Sequence, residues 1–143
     1  MMDIAIIIVA WKVKEKLRAN LEALLPSLIN LRAEVFVVDN NSGDGTVEMI
    51  KAEFPSVHLI ANQENVGFAR ANNQALKVAQ ADFVLLLNPD MRVFPETVSQ
   101  MLAWARNHPS AVVSACRLES ENGALIRHRS EERRVGKECR SRW

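Results

Sequence analysis

The sequence has few cysteines, almost no net charge and no long apolar run. Two cysteines, Cys116 and Cys139, stand among 143 residues. They lack CxxC spacing, which excludes a disulfide framework and a metal knuckle and makes a reducing compartment the default. Against 17 Asp and Glu there are 18 Lys and Arg, a formal net charge of +1, so nothing in the charge points to nucleic acid or a membrane surface. The apolar run from Ile4 to Val9 has Asp3 in place of a basic flank and stops at Trp11-Lys12. It falls far short of the roughly 18 residues a membrane span requires. A buried strand explains it, and no membrane segment is expected. What is present, 48% hydrophobic and 24% charged residues, is the composition of a soluble globular chain. At this length such a chain buries roughly two thirds of its unfolded surface.

Four further runs follow the first: Glu34–Asp39, Val57–Ala61, Phe83–Leu87 and Ala111–Ala115. All are continuous instead of alternating, the pattern of strands covered on both faces. Between them the period turns helical. Leu17, Leu21, Leu24, Leu25 and Leu28 recur three and four apart, with Pro26 expected to break or kink that helix near its end. Val47, Ile50 and Phe54 mark a second helix and Ala71 to Val78 a third. Val98, Leu102 and Ala105 mark a fourth, opened by Pro95-Glu96. This alternation predicts an α/β domain with a mostly parallel sheet flanked by helices, and such sheets bind ligands beyond the carboxyl ends of their strands.

The strand ends therefore matter most. The first is followed by Ala10-Trp11-Lys12, with no glycine fingerprint for a dinucleotide and no acidic pair of a receiver domain. The second closes in Asp39-Asn40-Asn41-Ser42-Gly43-Asp44-Gly45-Thr46. These are turn and cap residues, but a turn does not explain Asp39, an acid placed to accept the N–H groups of a nucleobase. An EF-hand is excluded because Ile50 stands at the twelfth position, where a bidentate Glu belongs. After the third strand, Gly67 permits close backbone approach and Arg70 falls in the first turn of a helix, where an anion docks. Phe68 reads as a core plug. The fourth strand ends in Asn88-Pro89-Asp90, whose amide and carboxylate oxygens suit a hard divalent cation.

In this order the segments resemble glycosyltransferase family 2, enzymes of the GT-A fold that use nucleotide-diphosphate sugars. The resemblance is carried by IAIIIVAW at 4–11, VFVVDNNSGDGT at 35–46, ENVGFARANNQAL at 64–76 and FVLLLNPDM at 83–91, and continues through HPSAVVSACRL at 108–118 and ENGALIRH at 121–128. It implies that Ala10 and Trp11 border the nucleobase and Asp39 recognises its edge. It also implies that Asn41, Gly67, Arg70 and Asn73 complete the nucleotide-sugar site. Asn88-Pro89-Asp90 stands where the family keeps its Asp-x-Asp signature, so Asp90 is the implied ligand of Mg²⁺ or Mn²⁺ and Asn88 meets the ribose or a metal-bound water. The sequence departs from the signature by the Asn in first place, a form that looks like the rhamnosyltransferase branch. The implied donor is a dTDP- or UDP-linked sugar, rhamnose on that branch, passed with inversion to a saccharide acceptor. The catalytic base is expected beyond the metal motif, in an acceptor half that this chain does not reach.

The expected organisation is a nucleotide-sugar-binding half over 1–128, truncated before the acceptor half, followed by a tail over 129–143. Within the tail, EERRVGKECRSRW holds five basic and three acidic side chains. It resembles vector- or adapter-derived sequence, and without it the body carries one more acidic than basic side chain. A chain so truncated is expected to bind a nucleotide without completing transfer. The expected localisation is cytoplasmic, with the full-length parent at the inner face of the membrane. Two other readings stay open. A nucleotidyltransferase-like domain normally shows a glycine- and basic-rich loop after the first strand, unlike Ala10-Trp11-Lys12-Val13; a non-catalytic nucleotide-binding module keeps the crevice without the chemistry. His58, His108 and His128 have no metal-ligand spacing, Met101 and Trp104 read as packing residues, and Cys116 reads as a buried thiol at a strand end.

Overall fold

The computed structural model describes residues 2–120 and 122–124. The expected boundary near residue 128 and the tail over 129–143, with His128 and Cys139, lie outside them. The chain divides into two compact units, Met1–Ser110 and Ala111–Trp143.

The first unit alternates strand and helix: β1 (Met2–Ala10), α1 (Lys14–Ser27), β2 (Ala33–Asp39), α2 (Thr46–Glu53), β3 (His58–Ala61), α3 (Phe68–Leu76), β4 (Ala81–Leu86) and α4 (Thr97–Asn107). The strands form one sheet in the order β3-β2-β1-β4, and every pairing is parallel. The first three strands are added in one direction. The chain then passes through α3 to the far side of β1, so the order reverses between β1 and β4, the place where an open parallel sheet offers a crevice.

Side chains alternate across the sheet and both faces of β1 are covered, which is why its sequence shows no alternation. Ile4, Ile6, Ile8 and Ala10 face a core with Leu17, Leu21 and Leu24 of α1, Met49 and Ile50 of α2, and Val98 and Leu102 of α4. Ala5 and Ile7 face the opposite side with Phe36 and Val38 of β2 and Ala71 and Ala75 of α3. At the amino end of the sheet Asp3 is nearly buried between two guanidinium groups. Its Oδ1 lies 2.5 Å from Arg32 and 2.8 Å from Arg106 of α4. The hydrogen bond from Arg32 is the main reason its carboxyl titrates below the ordinary value.

Several expectations need correction. Phe83-Val84-Leu85-Leu86-Leu87 reads as doubly covered, yet only Phe83, Leu85 and Leu87 pack on the core. Val84 and Leu86 are 43% and 51% exposed, because the residues of α3 pack over β1 and β2 and leave that face of β4 bare. Phe68 is exposed instead of plugging a core. Pro26, by contrast, agrees with expectation: it lies one residue before the end of α1 at Ser27, where its missing N–H cannot bond the Glu22 carbonyl and the helix stops. In the second unit Ala111–Ala115 is not a strand. Val112 and Val113 are exposed, and no ladder partner for the segment exists among the described residues. An apolar run without a partner cannot satisfy its backbone as a strand. Cys116, expected to be buried, is likewise exposed. The described part of that unit contains a turn in which the Ser120 N–H donates to Ala124 O at 2.9 Å and the Gly123 N–H to Ser120 O at 2.8 Å.

Leu21 is fully buried between α1 and the sheet. Leu21→Ala is expected to lower the unfolding free energy by about 2–5 kcal/mol, read as a shift of the urea midpoint at unchanged slope.

Candidate functional site

The carboxyl ends of β1, β2 and β4 meet at one edge, and the loops there are cross-tied by side chains. Ala10 and Asp39 are direct register partners. Asp39 is 2% exposed. Its Oδ2 accepts the Ser42 N–H at 3.1 Å, and Ser42 Oγ accepts the Lys12 N–H at 3.0 Å. The second strand's acid thus holds its own turn, and the turn holds the loop after β1. Lys12 and Asn41 have positive φ, 54° and 58°; asparagine adopts this region readily, whereas a lysine there is held by its neighbours.

Asp39 Oδ1 is buried and has no hydrogen-bond partner. An unpaired buried acceptor costs about 1–3 kcal/mol, a cost that a ligand donor would remove. Turn-forming and binding are therefore divided within one loop. Ser42, Gly43 and Asp44 shape the turn while half of the Asp39 carboxylate is left over.

Asp44 performs a separate task. Its Oδ2 accepts the Lys14 N–H at 3.2 Å, and its Oδ1 accepts the Thr46 N–H at 3.1 Å and the Thr46 hydroxyl at 2.6 Å. Lys14 and Thr46 are the first residues of α1 and α2, so one carboxylate caps two helices at their positive ends. Burial opposes its charge, but the Thr46 hydroxyl and the Lys14 and Thr46 N–H groups outweigh that and hold the carboxyl below the ordinary value. Gly45 between them has φ of 86°, and a Cβ there would lie 3.1 Å from Lys14 Nζ. The positive φ is what favours glycine here, since the flexible end of Lys14 could move aside from a Cβ.

On the β3 side, Asn40 Oδ1 accepts from Asn62 Nδ2 at 3.0 Å. Asn62 and Gln74 of α3 exchange two amide hydrogen bonds, each 2.9 Å. Asn40 Nδ2 reaches Gly67 O at 3.5 Å. Gly67 precedes α3 with φ of 83° and ψ of 163°, a region essentially restricted to glycine. Arg70 and Asn73 are exposed on α3 and line an open cavity of about 500 Å³ with Val66, Gln74, Leu76 and Lys77. Asp39, Asn88 and Asp90 do not line that cavity. Trp11 is exposed beside Ala10, with Lys12 Nζ 5.3 Å from its ring centre.

On the β4 side, Asn88-Pro89-Asp90-Met91 is a β-turn closed by the Met91 N–H donating to Asn88 O at 3.2 Å, with Pro89 at the position proline favours. Asn88 and Asp90 are exposed, and no hydrogen bond or ion pair engages the Asp90 carboxylate among the described residues. Among the described residues, no group of three or more His, Cys, Asp or Glu gathers there to form a metal cage. A lone, unengaged carboxylate fits a divalent ion that keeps waters and takes its other ligands from a phosphorylated substrate. It does not fit an ion held by protein alone.

The model of the family described as glycosyl transferase family 2 matches residues 5–142. The chain belongs to glycosyl transferase family 2. An uncharacterized glycosyltransferase of Bacillus subtilis, YfnE, is 33% identical over 115 residues, covering 78% of this chain and 29% of its own length. The N-acetylglucosaminyl-diphospho-decaprenol L-rhamnosyltransferase of Mycobacterium tuberculosis is 30% identical over 109 residues, covering 64% and 34%. Staphylococcus aureus TarS, crystallised with UDP-GlcNAc, superposes with a TM-score of 0.63 at 25% identity over 76% of this chain and 32% of its own. A mannosyltransferase of Pyrobaculum calidifontis, crystallised with GDP-Man and Mn²⁺, superposes at 0.64 with 22% identity over 73% and 34%. The sheet and its helices are thus those of the GT-A fold, and the chain spans about a third of the length of the curated relatives it matches. No helix among the described residues is long and apolar enough to cross a membrane.

Asn20, Asn40, Ser42, Asp44, Asn62 and Gln74 were not legible as site residues in the sequence of this family member. Asn40, Ser42 and Asp44 were legible as turn and cap residues, while Asn20, Asn62 and Gln74 act through partners distant in sequence that no local pattern marks.

Because the Asp44 carboxyl is held below the ordinary carboxylate value, its contribution to stability is fully present above about pH 5 and is lost as pH falls through the folded-state value. Asp44→Asn is expected to flatten the acid limb of the stability curve. Parallel pH profiles of wild type and variant in urea titrations would show that the carboxylate charge is not what the two helices respond to.

Proposed function

We propose that residues up to about 128 form the donor-binding part of a metal-dependent family 2 glycosyltransferase that takes a nucleotide-diphosphate sugar. The observation that carries this reading is the unpartnered, buried Asp39 Oδ1, set in register with Ala10 at the reversal of strand order. An acceptor in that position suits the imide N–H of uracil or thymine, with Trp11 offering an exposed apolar wall beside it. Asn41 and Gly67 border the same loops, and Arg70 and Asn73 on α3 supply a cation and an amide toward the diphosphate or sugar.

Asp90 would hold a Mg²⁺ or Mn²⁺ ion, whose chemistry is Lewis-acid stabilisation of the departing diphosphate, typically several kcal/mol. Asn88, two positions before Asp90 at the start of the same turn, would face the ribose or a metal-bound water. The chain's own part in the reaction is to orient the donor so that its anomeric carbon is open on the face opposite the diphosphate, and to balance developing negative charge with Arg70. An acceptor hydroxyl attacking that face gives inversion. The general base that takes its proton is not assigned to any residue described here. Two features of the relatives support the finer specificity: a rhamnosyl transfer to a diphosphate-linked saccharide in one and a UDP-sugar complex in the other. Rhamnose linked to dTDP or UDP is the donor this reading favours, and a saccharide the acceptor.

Calorimetric titration with UDP and dTDP in Mn²⁺ or Mg²⁺ tests the reading on the chain as it is. Binding is expected with at least one of them. Asp39→Ala and Asp90→Ala are each expected to weaken it about tenfold, the loss of a charged contact worth about 1.5–3 kcal/mol. A folded chain giving no heat with either nucleotide would sink the proposal.

A further inference from the structure

Asn20 is 2% exposed on α1, between Leu17 and Leu24 on the face that packs against the sheet. An asparagine there is locally unfavourable twice over, as a poor helix former and as a polar group without water. Its amide nitrogen donates both hydrogens out of the helix, to Asn88 O at 3.2 Å and Met91 O at 2.6 Å. Those carbonyls are the first and last of the turn whose two central residues are Pro89 and Asp90. The turn has one backbone hydrogen bond of its own, and Pro89 has no N–H to add a second. The orientation of the amide is fixed, since reversing it would set its oxygen against two carbonyl oxygens. Its own Oδ1 is left buried and unpaired. A leucine would pack this face without that cost, so the two donated hydrogen bonds are what the residue provides.

We propose that Asn20 is a positioning residue for Asp90. It clasps both ends of the Asn88–Met91 turn to the first helix and so sets where the Asp90 carboxylate stands at the mouth of the crevice, without touching ion or nucleotide. The proposal rests on the reading of Asp90 as the cation ligand. It extends that reading to a residue 68 positions from Asn88 in sequence and belonging to none of the strand-end motifs.

Two measurements on the full 143-residue chain test it. In the first, Mn²⁺ alone is titrated into ¹⁵N-labelled protein. Paramagnetic broadening is expected to centre on the amides of Asn88 to Met91 in wild type, and to need several-fold more Mn²⁺ in Asn20→Leu, which keeps shape but donates nothing. In the second, UDP affinity is measured with Mn²⁺ and with EDTA. Asn20→Leu is expected to reduce the ratio of the two about tenfold while leaving the EDTA value and the thermal midpoint near wild type. Asn20→Ser, which keeps one donor, is expected to fall between and serves if the leucine variant does not fold. A merely structural role would lower both affinities together and leave their ratio alone, which overturns the proposal, as does equal broadening in variant and wild type. Absence of wild-type broadening overturns it together with the reading of Asp90. Wild-type broadening without UDP binding counts against the donor reading only, and the broadening comparison then decides the role of Asn20.

Discussion

The parallel pairing of β1 with strands on both of its edges is the constraint from which the rest follows. A parallel neighbour cannot be reached by a tight turn, so each pairing forces a helical crossover. Two neighbours on opposite edges force the order to reverse beside β1. Helices on both faces then require β1 to be apolar throughout, and the only places left for polar chemistry along this strand are its ends. The carboxyl end gathers three loops, and what those loops carry is held by very few atoms: the carboxylates of Asp39 and Asp44, the amides of Asn20, Asn40 and Asn62, and the Ser42 hydroxyl.

These ties divide into two kinds. The Asp44 and Ser42 contacts satisfy backbone N–H groups that helix starts and turns leave open, and they would be required in any protein with these loops. Among the described residues, Asp39 Oδ1 and the Asp90 carboxylate remain without protein partners after that requirement is met. Asn20 Oδ1 is the other buried acceptor left unpaired among them, but it lies on the core face of α1, whereas Asp39 Oδ1 belongs to the loops at the strand ends. A site that has been fully organised while a buried acceptor in its own loops stays unpaired is arranged for something that is not part of the chain. The Asn62–Gln74 pair links the end of β3 to the middle of α3, one turn from Arg70, and gives that helix a fixed rotation about its axis.

The layered α/β order, the four helices and the three polar strand ends were all legible, because burial on two faces and helical periodicity both leave direct marks in hydrophobic pattern. What was not legible depended on placement. The Phe83–Leu87 run is as apolar as Ile4–Val9, and only the position of α3 over β1 and β2 leaves Val84 and Leu86 uncovered. Phe68 is hydrophobic enough for a core and lies outside one because α3 starts there, one turn earlier than its alanines indicate. The apolar stretch at 111–115 has the composition of a strand without a neighbour to make it one. Asn20 and Asn62 act through carbonyls and amides far away in sequence, and no local rule connects them. The turn residues around Asp39 were readable as turn residues, but which oxygen of that acid was left over was not.

The knot of Asp3 with Arg32 and Arg106 closes the opposite end of β1 from the crevice. From Asp3 to Ala10 the strand runs about 23 Å at a rise of about 3.3 Å per residue. That is nearly three times the distance of about 8 Å over which exposed charges are screened at physiological ionic strength. The exposed guanidinium groups of Arg32 and Arg106 are therefore largely screened from the strand's head. Substitutions of Arg32 or Arg106 can retune how firmly the strand's foot is fastened while leaving the loops at its head electrostatically undisturbed.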